Sequence, residues 1–174
     1  MPSENILSLL EGADRRTIGR ADEVAAKVRK NPKLFQQLIG GLWSPDAVVR
    51  MRAVDAAEKV TRKNSELLKP YKEGLLGLMS ETQEQELRWH LAVMVPRLEL
   101  SAKEKQRAIS FLNAYLEDRS SIVKTFALQG LADLAGEDSS LVPGVTEILR
   151  EATRRGTPAM KARSRKLLIG LERG

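Results

Sequence analysis

Few residues in this chain could do chemistry on their own, and their spacing narrows the choice further. One histidine, His90, stands among 174 residues, and there is no cysteine. Thiolate nucleophiles, disulfides and cysteine-ligated zinc are therefore excluded, as is any site that needs two imidazoles. His90 has no companion at metal-ligand spacing, so neither a metal nor a cofactor is expected. Its neighbour Trp89 is of interest as a binding anchor, since tryptophan recurs at interface hot spots. What remains is charge.

The formal net charge is +6, and its distribution is uneven. Residues 150 to 174 hold eight bases against two acids, which leaves 21 of each sign in residues 1 to 149. Arg154, Arg155, Lys161, Arg163, Arg165 and Lys166 are thus the candidates for contacting phosphate. No aromatic residue is interleaved with them, so the segment does not suggest base-specific reading. The competing reading is a solvated terminal face, with bases at a helix end that suit the macrodipole.

Two further rows emerge along the chain. Arg50, Arg88, Lys124 and Lys161 recur at steps of 38, 36 and 37 residues. Two positions on lies a second row of Arg52, His90, Phe126 and Arg163. The first row could follow a phosphate backbone or an acidic peptide, or it could serve i, i+4 pairs such as Asp46–Arg50 and Glu84–Arg88. The second could bind a partner or pack against the adjoining helix. With Trp89 added, the second row gives the partner-binding candidates Arg52, Trp89, His90, Phe126 and Arg163.

Such rows require a repeating element to hold them. Val49, Ala53, Ala56-Ala57 and Val60 stand at offsets 0, 4, 7, 8 and 11, one stripe of a 3.6-residue helix. The same frame recurs from Leu87, Val123 and Met160, with a degenerate earlier copy from Thr17. Between these helices lie others with apolar faces of their own. Asn31-Pro32, Ser44-Pro45 and Thr157-Pro158 each place an N-cap residue before a proline. Ser101 with Glu104 has capping-box spacing. Ten helices are expected in a single domain spanning residues 1 to 174. Trp43 is expected in the core or over a repeat junction, and Pro96 is expected to kink its helix. No stretch approaches the roughly 20 apolar residues of a membrane span. Ile6 to Leu10, the first apolar run, is too short for a signal peptide, so a cytoplasmic protein is expected.

A helix pair recurring every 37 residues or so resembles a HEAT repeat. Asp46 and Arg50 match the family's Asp-x-x-x-Arg frame, and Pro70 and Pro143 look like the proline that bends the first HEAT helix. The resemblance implies an all-α fold, a right-handed α-α superhelix of about five stacked hairpins. It also implies an internal Asp–Arg ladder at the first basic row. For function it implies a non-catalytic scaffold or adaptor that binds a protein on its concave face. Nonspecific nucleic-acid binding through the basic C-terminal repeat is the alternative. A HEAT-like DNA glycosylase is more remote, with Trp89 and Asp55 as the only pairing of aromatic and acid to offer. The oligomeric state stays open.

Overall fold

Helices account for all the regular structure among the described residues of this computed structural model, residues 4–14 and 16–174. None of them is long and apolar enough to cross a membrane. The chain divides into two compact units, ending and beginning at Tyr71 and Lys72.

In the first unit a 3₁₀ turn at Ile6–Leu10 precedes α1 (Ala21–Lys30). The helices α2 (Phe35–Gly40) and α3 (Ala47–Thr61) follow through 3₁₀ turns at Pro32–Leu34 and Gly41–Trp43, and Ser65–Tyr71 is a longer 3₁₀ stretch. The degenerate repeat copy forms α1, whose Ala21, Val24, Ala25 and Val28 are buried and whose axis lies against α3. Asp22 and Glu23 stand in its first turn and Lys27, Arg29 and Lys30 in its last, the arrangement that complements the helix dipole. The stripe of α3 is buried along its length. Its cap is Asp46, whose carboxylate accepts from the Val48 N–H at 2.8 Å. Ser44, the expected cap, instead accepts the Asp46 N–H. Trp43 does not enter the core, one of its two expected places: it is 47% exposed, at the end of the 3₁₀ turn that follows α2.

The second unit holds α4 (Lys72–Glu81), α5 (Gln85–Met94), α6 (Ala102–Tyr115), α7 (Ser121–Glu137), α8 (Val142–Arg155) and α9 (Pro158–Arg173). Three of the repeated stripes form α5, α7 and α9, and these pack side by side in one layer, α7 in the middle. A second layer is formed by α4, α6 and α8, with α6 and α8 seated on α7. Ser101 and Glu104 form the expected capping box, and Thr157 caps α9 by accepting from the Met160 N–H. Pro96 ends α5 rather than kinking it. A 3₁₀ turn at Val95–Arg97 follows, and Leu98 is extended, since proline lacks the N–H that would continue the ladder. Pro143 likewise opens α8 instead of bending it. The described chain therefore has nine α-helices, with the first expected helix reduced to a 3₁₀ turn.

Gly130 sets how closely the first layer packs. A Cβ at this point of α7 would run into the Ala92 carbonyl of α5 and stand 3.1 Å from Leu112 of α6. Its absence lets two helix backbones approach, and that approach brings the side chains described below within reach of one another.

Candidate functional site

Arg52, the first of the second row, is 4% exposed and cannot reach a partner. From α3 its guanidinium donates to the carbonyls of Leu10 (3.1 Å), Glu11 (2.9 Å), Asp14 (2.8 Å) and Thr17 (3.1 Å). A planar group with five donors suits such a cage of loop carbonyls. The loop closes tightly around it: Gly19 has φ +54°, and a Cβ there would lie 2.7 Å from the guanidinium carbon. Arg52 is an intrachain clasp for the segment preceding α1. In the same unit Asp55, the carboxylate of the glycosylase-like pairing, is buried and ion-paired to Lys59 at 2.7 Å. Lys59 also meets Asp22 at 2.6 Å. Burial pushes its ammonium down, but the bonds to Asp22 and Asp55 outweigh that and hold it above the usual lysine value.

The other three members of that row lie in the second unit and come together across α5, α7 and α9. His90 is 3% exposed and lies under Trp89, ring centroids 3.4 Å apart and planes 26° from parallel. Its Nδ1 is 2.5 Å from the Glu86 carbonyl. A carbonyl only accepts, so that nitrogen carries the proton. His90 is thus a buried support for Trp89, which corrects its reading as a contact residue. Trp89 is half-buried and stands 4.8 Å from the Phe126 ring. Over Phe126 lies the Arg163 guanidinium, at 5.1 Å, a cation–π stack. Arg163 donates to Gln129 at 2.8 Å, and Gln129 donates in turn to Asp133 at 2.8 Å.

Two neighbours enlarge this ridge. Ile122, one turn before Phe126 on the same face of α7, is 47% exposed. Beyond Asp133 a cleft of about 510 Å³ opens over Pro96, Ala132 and Leu167, with Arg97 and Lys166 at its rim. Asp133 stands at that rim too, and its carboxyl is held above the usual aspartate value. The crowding protein around it outweighs the bond from Gln129 and the charges of Arg97 and Arg163, although its outer side remains open to solvent.

The first basic row serves the connections between helices where its partners are visible. Arg50 donates to the Ser44 carbonyl at 2.7 Å. Arg88 bridges two turns, donating to Asp118 at 2.5 Å, the Thr82 carbonyl at 2.9 Å and Gln83 at 2.8 Å. Burial raises the Asp118 carboxyl, yet the Ser120 N–H and Arg88 more than offset this and hold it below its ordinary value. Lys124 and Lys161 are half-buried and make no ion pair among the described residues.

Of the phosphate candidates, Arg154 and Arg155 both pair with Glu151, at 2.8 and 3.1 Å. The hydrogen bond from Arg154 leads in lowering the Glu151 carboxyl below its usual value. Arg163 belongs to the aromatic stack, while Arg165 and Lys166 are exposed.

Ile122, Gln129 and Asp133 were missed as site residues in the sequence, although Ile122 and Phe126 show an i, i+4 apolar pair beside the buried stripe. No protein-family model matches the chain, and it is significantly similar to no curated protein and to no solved structure.

Proposed function

We propose that the chain is a non-catalytic, HEAT-like helical-hairpin module that binds a protein partner on the α5–α7–α9 face of its second unit. The observation that carries this reading is the continuous surface of Ile122, Phe126 and Trp89, ending on the Arg163–Gln129–Asp133 chain. Scattered exposed apolar residues are ordinary, but an aromatic and aliphatic ridge rimmed by polar groups marks an interaction site. The ridge is also stiff. Trp89 rests on His90 and Phe126 lies beneath Arg163, so little side-chain freedom is lost on binding. The recurring stripe and the layer of α5, α7 and α9 support the HEAT-like superhelix.

The test is site-specific photocrosslinking from position 122 in an extract of the source cells, with and without Phe126→Ala. A discrete crosslinked protein that disappears in the Phe126→Ala background is the expected result. Absence of any discrete product, or one indifferent to Phe126, would sink the reading.

A second reading, phosphate binding by the C-terminal helix, rests on Lys161, Arg165 and Lys166, which make no ion pair among the described residues. It is the weaker one. Arg165 stands in the register of Ala92 and Leu128, both buried, so its charge also serves to keep the outer face of α9 solvated.

A further inference from the structure

The layer of α4, α6 and α8 carries a surface feature that the partner-binding reading does not use. Although α6 and α8 both sit on α7, they barely touch each other. The gap between them is an apolar furrow. Its wider part, about 610 Å³, is walled by Leu116, Ile148 and Ala152, floored by Leu128 and closed by Met160. A narrower part of about 260 Å³ continues past Ile109 and Val145 over Leu131. Ile148 lines both, so the two hollows adjoin along α8 and are treated together as one furrow. The 14 residues of α8 give that furrow a wall about 20 Å long, enough to seat several turns of a helix.

Charge is confined to the wider end. Glu117, Glu147 and Glu151 stand there against Arg155 alone, and the lining of the narrow end has no charge. Glu147 and Glu151 are held by Arg150 and by Arg154 and Arg155 in exposed pairs within α8. Such surface pairs hold weakly and yield to a better-placed base. Glu117 makes no ion pair among the described residues. Three acids and one base line the wider end, so a ligand's base there would meet Glu117 directly and would compete with Arg150, Arg154 and Arg155 for the other two.

We propose that this furrow docks an amphipathic helix of a partner protein, its aliphatic side chains three and four residues apart, with lysines or arginines where it meets Glu117, Glu147 and Glu151. This is the helix-in-groove mode of recognition. A second copy of this chain is the poorer occupant. Its basic helix α9 would bring the right charge, but the one large hydrophobic residue it leaves exposed is Ile169, too little to fill a furrow of this size. The proposal stands independently of the α5–α7–α9 face.

The experiment uses the full chain and a fluorescein-labelled synthetic helical peptide with leucines along one face and lysines at one end. A second peptide carries glutamate in place of each lysine. Fluorescence anisotropy should show the basic peptide binding at least about tenfold more tightly than the acidic one. Ile148→Asp should abolish binding, and the double variant Glu147→Lys, Glu151→Lys should reverse the preference. Should Ile148→Asp fail to fold by circular dichroism, the charge reversal decides alone. Equal binding of both peptides, no binding of either, or a preference unchanged by the charge reversal would overturn the proposal. So would concentration-dependent self-association in the ultracentrifuge that Ile148→Asp abolishes, since that would place a second copy in the furrow.

Discussion

Arg52 and Arg163 occupy the same register on repeated helices, yet they do different work. The guanidinium of Arg52 meets four carbonyls, and removing it leaves the buried Leu10 carbonyl and three partly buried ones without this donor. Arg52→Ala should cost about 3 kcal/mol in urea unfolding, within the range for breaking a buried polar network. A loss under about 0.5 kcal/mol would show that the clasp is dispensable. Asp133 gives a pH signature of opposite sense to most carboxylates. Its folded-state value lies above the 3.8 of an unperturbed aspartate, so the folded state favours the protonated form. Stability is fully present at pH below 3.8 and falls as pH rises through the raised value. Asp133→Asn, which keeps an acceptor for Gln129, should match wild type near pH 3 and exceed it at pH 7. Equal stability of the two at both pH values would refute the assignment.

Elements are held in register by small residues and by caps. Gly130 is the point of closest approach between α5 and α7, and any side chain there meets the Ala92 carbonyl. Gly130→Ala gains helix propensity of up to about 1 kcal/mol, while overpacking a tight crossing costs about 1–3 kcal/mol. A net loss is therefore expected by thermal or chemical denaturation. Because the crossing sets the 4.8 Å contact of Trp89 with Phe126, the tryptophan emission should shift in the same variant. A variant more stable than wild type with unchanged emission would show that the helices part freely. The caps themselves were legible in the sequence at Ser101 and Thr157, where donor and acceptor lie three residues apart. Ser44 misled because Asp46, two residues on, offers a carboxylate to the same helix end.

At the scale of the whole molecule the question is what the excess positive charge does. Ion pairs with Glu151 occupy Arg154 and Arg155, and Arg163 is stacked on Phe126. Reversing Arg163 would therefore disturb the ridge as well as the charge. Arg165→Glu with Lys166→Glu is the cleaner variant, since both side chains are exposed. If the charge only solvates α9, wild type and variant should bind a labelled oligonucleotide equally weakly at moderate salt. A wild-type affinity that falls steeply with salt and is lost in the variant would move phosphate binding to first place.

The sequence by itself determined the helical content, the repeat frame, the buried stripes of α1, α3, α5 and α7, and two of the caps. Hydrophobic periodicity and capping are local, so a few consecutive residues contain the whole signal. Only the tertiary structure decided the fate of residues flanking the stripes. Arg52 and His90 were covered, one by the segment before α1 and the other by Trp89, while Trp43 was left outside. Ile122 became the outer part of a ridge, and α6 and α8 parted to open a furrow. Each outcome depends on which distant element covers a helix face. Helix spacing places a side chain at the edge of a stripe, but burial there is settled by packing partners that the spacing does not encode.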